Sequence, residues 1–130
     1  MDTSLEKFFG DIAPDASVDG LTVEKKIGEG AMANLYLVRD ANGVQRIIKV
    51  PRQSLKVDPV SLVAFENELR LAPHLKDFPY AYMPQISDQA SGQYLVMDYI
   101  RGVDLWSHLK EHGPLPEAET IALGKKIVRA

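Results

Sequence analysis

A chain of 130 residues with 45% hydrophobic and 25% charged residues has the composition of one globular domain with a modest core. Its 15 basic and 18 acidic residues give a formal charge of -3 without any basic block, which argues against a nucleic-acid partner. The absence of cysteine, the three histidines without a ligand pattern and the lack of a long apolar run predict a cytoplasmic protein without disulfides, bound metal or membrane segment.

The first 20 residues are typical of a loosely ordered leader. They contain Pro14, Ser17 and Gly20 and only one short amphipathic piece. The folded region is therefore expected to begin near Leu21.

Three successive strands are predicted after this leader. Apolar and polar residues roughly alternate over 21–27 and again over 34–39, which indicates a hairpin around the glycines between them. Asn42-Gly43 is a strong hairpin signal, and the β-branched run over 44–50 that follows it is closed by a proline. We expect these three strands to be antiparallel.

The rest of the chain predicts one helix, two more strands and two final helices. Within residues 58–75, apolar side chains recur at helical steps of three and four: Leu62, Phe65, Leu69 and Ala72. Residues 83–88 and 92–100 have strand patterns, and residues 103–113 and 116–130 have helical ones. The last pattern lacks a stop signal, which predicts that the chain ends within a helix.

Four residues could carry chemistry, although each also has an ordinary structural interpretation. Gly28 and Gly30 could bring backbone amides close to an anion, or simply form a hairpin turn. Lys49 interrupts an apolar strand, where a cation is costly unless it faces solvent or has a partner. Glu68 on the following helix could be that partner, or an ordinary solvated glutamate.

The order of these features is more specific than any one of them. The glycine loop, strand lysine and helix glutamate are followed by YLVMDYIRGVDL. The chain thereby resembles the N-terminal lobe of a bacterial serine/threonine protein kinase of the eukaryotic-like (Hanks) type, which often reads GEGGMGxVYLAxD where this chain has GEGAMANLYLVRD.

This resemblance implies an α+β fold and a division of the chain into three parts. A leader over 1–20 would precede the N-terminal lobe and hinge over 21–100, and residues 101–130 would begin a truncated C-terminal lobe. The lobe would consist of a five-stranded antiparallel sheet and one regulatory helix. The first two helices of the C-terminal lobe would follow the hinge.

The resemblance also implies an ATP site. Lys49 would contact the α- and β-phosphates, and Glu68 would hold this lysine in place as the second catalytic residue. The residues implied to bind the nucleotide are Ile27, Gly28, Gly30, Leu35, Ile47, Lys49, Met97, Asp98, Ile100 and Asp104. Among these, Met97 would be the gatekeeper or simply part of the core, and Asp104 would approach the ribose, cap a helix, or do both.

Three departures from the family pattern bear on activity. Ala31 and Ala33 put side chains into the loop, and Ile47 stands where a small alanine usually packs against adenine, so weaker or altered nucleotide binding is expected. More importantly, these 130 residues contain no H-R-D-x-x-x-x-N, D-F-G or A-P-E motif. The chain alone is therefore expected to be inactive, with Mg²⁺ bound only when a C-terminal lobe is supplied.

Two other functions stay open at this point. The chain could be a stand-alone, non-catalytic pseudokinase or regulatory module, or a fragment of a small-molecule kinase with the same fold. Its protein substrate or partner is not specified by the sequence. Self-association is expected if the apolar residues of the last two helices have no lobe to pack into: Leu105, Trp106, Leu109, Ile121, Leu123, Ile127 and Val128.

Overall fold

A computed structural model describes residues 11–52, 58–75 and 94–129, which fall into two compact units divided after Tyr99. The first unit contains the strands β1 (Ser17–Val18), β2 (Leu21–Glu29), β3 (Ala33–Arg39), β4 (Gln45–Pro51) and β5 (Leu95–Asp98), the helix α1 (Pro59–Leu71) and a 3-10 turn (Ala72–Leu75). The second unit contains α2 (Leu105–His112) and α3 (Glu117–Arg129). None of the helices in these ranges is long and apolar enough to cross a membrane.

The strands of the first unit form one antiparallel sheet in the order β1-β2-β3-β4-β5. The turn between β3 and β4 is built around Gly43, whose positive φ of 78° suits a residue without a Cβ. The carboxylate of Asp40 accepts hydrogen bonds from the amides of Asn42 and Val44, which closes this turn. The three consecutive antiparallel strands predicted from the sequence are confirmed.

One face of the sheet carries the larger apolar core, because alternate residues of each strand point to the same side. Its buried members are Val18, Val23, Tyr36, Val38, Ile48, Val50 and Tyr94. Ile12 packs against this cluster, and its amide donates to the hydroxyl of Tyr36 at 3.0 Å. Residues before the first strand therefore help to cover this face.

The opposite face packs against α1 and the 3-10 turn. Phe65 is fully buried against Ala33, and Ala72 is buried with Ile47 and Leu95. The helix begins at the N-cap Asp58, whose side chain accepts from the amides of the first turn and whose pKa these hydrogen bonds lower, those from Ser61 most. The apolar stripe predicted for this helix is confirmed at its centre by Phe65.

The folded region begins earlier than the sequence predicted. It was expected to begin near Leu21, but Ser17 of β1 pairs with Thr22, and Ile12 already contacts the core. Asp15 and Asp19 have positive φ values of 66° and 49°, which short polar side chains tolerate and which form tight bends. These bends explain why the segment resembles a loose leader in sequence.

The set of strands that form the sheet also differs from the sequence prediction. The strand predicted over 83–88 lies outside the described residues. The strand predicted over 92–100 is observed as β5, Leu95–Asp98. The five-stranded antiparallel sheet is thus confirmed, with β1 as a member that the sequence did not predict.

The second unit is a pair of helices with an apolar groove. Asp104 caps α2, its Oδ1 accepting the amide proton of Ser107 at 2.8 Å, and these hydrogen bonds hold the pKa of this carboxyl below its usual range. A groove of about 610 Å³ separates the helices and is lined chiefly by leucine and isoleucine side chains: Leu105, Leu109, Leu115, Leu123 and Ile127. Both helices predicted from the sequence are confirmed.

Candidate functional site

The side chains of Lys49 and Glu68 form an ion pair between the sheet and α1. Lys49 lies on β4 between Leu35 of β3 and Leu95 of β5, while the adjacent residues Ile48 and Val50 are buried on the opposite face. Its Nζ lies 2.7 Å from Oε1 and 2.8 Å from Oε2 of Glu68. The ammonium group therefore has a partner for its charge where an unpaired cation would be costly.

The environment of this pair is intermediate between the core and the surface. The side chain of Lys49 is 23% exposed and that of Glu68 is 35% exposed. Such partial burial leaves the lysine accessible to a ligand while protecting the pair from complete screening by solvent. The pairing considered in the sequence is observed, whereas the catalytic roles of its two members stay predictions.

An open cavity of about 490 Å³ adjoins the ion pair. Its lining is mostly apolar and backbone, with one cation and two carboxylates: Gly28, Glu29, Gly30, Ala31, Met32, Ala33, Leu35, Lys49, Glu68 and Met97. This volume and this lining are typical of small-molecule sites, for which about 300–1,000 Å³ is usual. The structure thus brings six of the predicted site residues together: Gly28, Gly30, Leu35, Lys49, Glu68 and Met97.

Two residues of this lining were missed in the sequence. Glu29 and Met32 line the cavity, but neither was among the site residues predicted from the sequence. Their position in the chain could have identified them. Both lie in the glycine loop between two strands, and binding residues are frequent in such loops. Met97 is both core and cavity wall, since it is only 4% exposed and packs in the cluster with Ile47 and Leu95.

Other predicted nucleotide-binding residues do not line this cavity. Ile27 is 40% exposed on β2, and Ile47 is buried within the core opposite Met97. Asp98 directs its Oδ1 to Nη1 of Arg46 at 3.0 Å. Ile100 and Asp104 belong to the second unit, where Asp104 acts as the helix cap.

The glycine loop, residues 28–33, is a tight turn held by its own backbone. The amide of Gly30 donates to the carbonyl oxygen of Ala33 at 2.8 Å. A Cβ added at Gly28 would lie 3.3 Å from the side chain of Leu35, so this glycine permits a close approach between strands. An adjoining irregularity in the β2–β3 register, between Lys26 and Gly28, bends the strand at this point.

The alanines of the loop do not strain it. Among the described non-glycine residues, only Asp15 and Asp19 have positive φ, so Ala31 and Ala33 adopt ordinary backbone conformations. Ala33 is 5% exposed and packs against Phe65, which gives its methyl group a place in the core. The turn thus requires no left-handed residue at these two positions, and the weaker nucleotide binding expected from these alanines stays a prediction.

The charge of Glu29 is compensated at the rim of the cavity. Its Oε2 lies 2.9 Å from Nζ of Lys26 and its Oε1 lies 3.0 Å from Nη2 of Arg52. The hydrogen bond from Lys26 is the main cause that lowers the pKa of Glu29, and the positive charge of Arg52 adds to it. Lys26 also contacts Asp11 at 3.0 Å, so the N-terminal segment joins the same network.

The donor set suits a phosphate-bearing nucleotide better than a metal ion. The cavity is lined by a lysine ammonium, the glycine loop and apolar side chains, and these groups favour an anion attached to a flat apolar body. In the described part of the chain, no group of three or more histidine, aspartate or glutamate side chains converges to hold a metal.

The chain is similar to bacterial serine/threonine protein kinases. It is 28% identical over 114 residues to the probable kinase PknB of Lactococcus lactis, which corresponds to 86% of this chain and 18% of that protein. It is 29% identical over 105 residues to PrkC of Bacillus subtilis, with 80% of this chain and 16% of that protein covered. It is 30% identical over 108 residues to PknE of Mycobacterium tuberculosis, with 81% of this chain and 19% of that protein covered. The chain thus spans less than a fifth of these relatives.

The chain is also similar to solved structures of bacterial serine/threonine protein kinases. The kinase domain of Mycobacterium tuberculosis PknI superposes with a TM-score of 0.68 at 25% identity, covering 86% of this chain and 47% of that domain. No protein-family model matches the chain. From the relatives, the sheet with its helix and the extent of the match, the chain corresponds to the N-terminal part of a bacterial serine/threonine protein kinase domain.

Proposed function

We propose that this chain binds ATP in the cavity beneath the glycine loop and serves as the ATP-binding lobe of a serine/threonine protein kinase. The full-length parent would transfer the γ-phosphoryl group of ATP to a serine or threonine hydroxyl of a protein. The observation that carries the proposal is the ion pair of Lys49 and Glu68 at the wall of a cavity that the glycines also line.

Lys49 would supply a positioned cation for the phosphates. An ammonium group has three N–H donors, and two carboxylate oxygens of Glu68 lie within hydrogen-bond distance of it. At least one donor can therefore point to a phosphate oxygen while Glu68 holds the nitrogen in place. This arrangement reduces the entropy that a long, flexible side chain would otherwise lose when ATP binds.

The remaining cavity residues would bind the other parts of the nucleotide. Gly28 and Gly30 allow the backbone to approach the phosphates closely, and Leu35 and Met97 offer apolar surface to adenine. Backbone groups at Asp98 and Ile100 would provide the directional hydrogen bonds of a hinge. The contributions of Ile27 and Ile47 to the adenine pocket, and of Asp104 to the ribose, stay predictions.

Phosphoryl transfer is proposed for the parent and not for these 130 residues. The aspartate that accepts the substrate hydroxyl proton and the Mg²⁺ ligands belong to motifs that this sequence does not contain. Mg²⁺ would therefore bind only together with a C-terminal lobe. What this chain's own residues can do is bind the nucleotide, orient its phosphates and shield part of it from water.

The other expectations about partners stay predictions. The protein substrate is not indicated by any described residue, and a cytoplasmic location and the absence of a nucleic-acid partner rest on the sequence alone. Self-association would use the apolar groove of α2 and α3, where Ile127 is 63% exposed.

Titration of the purified chain with ATP tests the proposal. Isothermal calorimetry should detect binding to the wild type and a loss of about tenfold or more in Lys49→Met, because a charge-assisted contact to phosphate is removed. Lys25→Met is the matched control, since it removes the same charge from an exposed position of β2 that does not line the cavity. Equal affinity in wild type and Lys49→Met would refute the phosphate-binding role.

A further inference from the structure

Arg52 directly follows β4 and contacts the glycine loop with both its backbone and its side chain. Its amide donates to the carbonyl oxygen of Met32 at 2.9 Å. Its Nη1 donates to the carbonyl oxygen of Gly30 at 2.9 Å, and its Nη2 lies 3.0 Å from Oε1 of Glu29. One residue thus holds the first arm of the loop and its tip.

We propose that Arg52 is the positioning residue of the glycine loop and sets its affinity for nucleotide phosphates. The inference rests on the proposed ATP site. Arg52 itself does not line the cavity, whereas its partners Glu29, Gly30 and Met32 all do. Its effect on a bound nucleotide is therefore exerted through the loop.

The first part of this effect is orientation of the backbone. The Gly30 carbonyl is bound by Arg52 while the Gly30 amide is bound by Ala33, so the peptide groups on both sides of Gly30 are fixed. A glycine-containing turn has much conformational freedom to lose, and fixing it before a ligand arrives lowers the entropic cost of binding. Arg52 thereby prepares the loop for a ligand.

The second part is electrostatic. Glu29 lines the cavity, and an uncompensated carboxylate there would repel the phosphates of a nucleotide. Arg52 and Lys26 hold this carboxylate between two positive charges, at 3.0 and 2.9 Å. Removing Arg52 would leave Glu29 with Lys26 as its remaining ionic partner in this network, and the local potential would become less favourable to an anion.

The chain contains a closely matched control. Arg39 makes the same two kinds of contact at the β3–β4 turn, where Nη2 lies 2.6 Å from Oε1 of Glu24 and Nη1 donates to the carbonyl oxygen of Gly43 at 2.7 Å. Arg39 and its partners do not line the cavity. Arg39→Ala therefore removes the same charge as Arg52→Ala and the same kind of contact to a turn, but it leaves the glycine loop unaffected.

Calorimetric titration with ATP and with adenosine separates the phosphate effect from binding of the base. Arg52→Ala should weaken ATP binding by about fivefold and leave adenosine binding unchanged, because the affected contacts lie at the phosphate side. Arg52→Lys should recover part of the loss by restoring the charge beside Glu29. Arg39→Ala should bind both ligands like the wild type.

Amide hydrogen exchange gives a second readout that needs no nucleotide. Exchange over residues 28–33 should accelerate by about threefold in Arg52→Ala, and Arg39→Ala should leave this segment unchanged. If Arg52→Ala binds ATP within twofold of the wild type, or loses affinity for ATP and adenosine equally, the role of Arg52 is overturned. Either result would leave the proposed ATP site intact. A wild-type chain that binds no ATP would refute the proposed function itself.

Discussion

Replacing Glu68 by glutamine removes the charge that holds Lys49 and keeps nearly the same shape. Loss of one partner costs about 3–5 kcal/mol in a buried ion pair and about 0–1 kcal/mol in an exposed one. The Lys49 and Glu68 side chains are 23% and 35% exposed, so solvent partly screens the pair. The cost should therefore lie near the value for an exposed ion pair. We expect Glu68→Gln to lower the free energy of unfolding by about 1 kcal/mol.

Urea denaturation measures this loss, with Glu66→Gln as the control because it makes the same substitution on the same helix. Far-UV circular dichroism is the suitable probe, since the single tryptophan, Trp106, lies in the second unit and would not report on the sheet. A double-mutant cycle that combines Glu68→Gln with Lys49→Met should give a coupling of about 1 kcal/mol. A coupling below about 0.3 kcal/mol would refute the stabilising pair.

Three further outcomes are expected. The Tyr94 hydroxyl is buried and donates to the Asp19 carboxylate, which raises the pKa of the phenol, so the contribution of this group to stability should be constant below about pH 10 and fall as the pH rises further. In Tyr94→Phe this alkaline loss should diminish in urea titrations, and an unchanged pH profile would contradict the reasoning. Ala33→Gly, which restores the family's glycine, should destabilise the chain by about 1 kcal/mol because the methyl group packs on Phe65; a rise in stability would contradict this. Phe65→Ala should lower unfolding free energy by about 3–5 kcal/mol, whereas a loss below about 1 kcal/mol would show that α1 does not depend on this contact.

The main part of the site could be predicted because its signals are local and come in a diagnostic order. Residue type, strand pattern and helical position made Gly28, Gly30, Lys49 and Glu68 candidates, and the resemblance to the kinase N-terminal lobe implied their roles. The strand alternation also explains their meeting, since buried Ile48 and Val50 leave Lys49 on the side of α1. Local patterns therefore determined both the elements and the faces that they present.

The contacts that could not be predicted join residues far apart in the chain. Arg52 lies after a proline at the end of a strand and looks like an exposed loop residue, yet its side-chain partner Gly30 is 22 positions away. Ser17 and Val18 form a strand too short for alternation to indicate, between bends at Asp15 and Asp19 that resemble a loose segment. Such pairings depend on how the sheet curves, which residue type and spacing do not specify.

In the proposed complex, ATP binds beneath the glycine loop with its phosphates near Lys49. The most direct measurement is an ATP titration of the ¹⁵N-labelled chain, followed by the amide signals of each residue. We expect shifts at Gly28, Gly30, Lys49 and Met97, while the β3–β4 turn around Gly43 stays unchanged. Signals that do not move at saturating ATP, or that move only in α2 and α3, would contradict it.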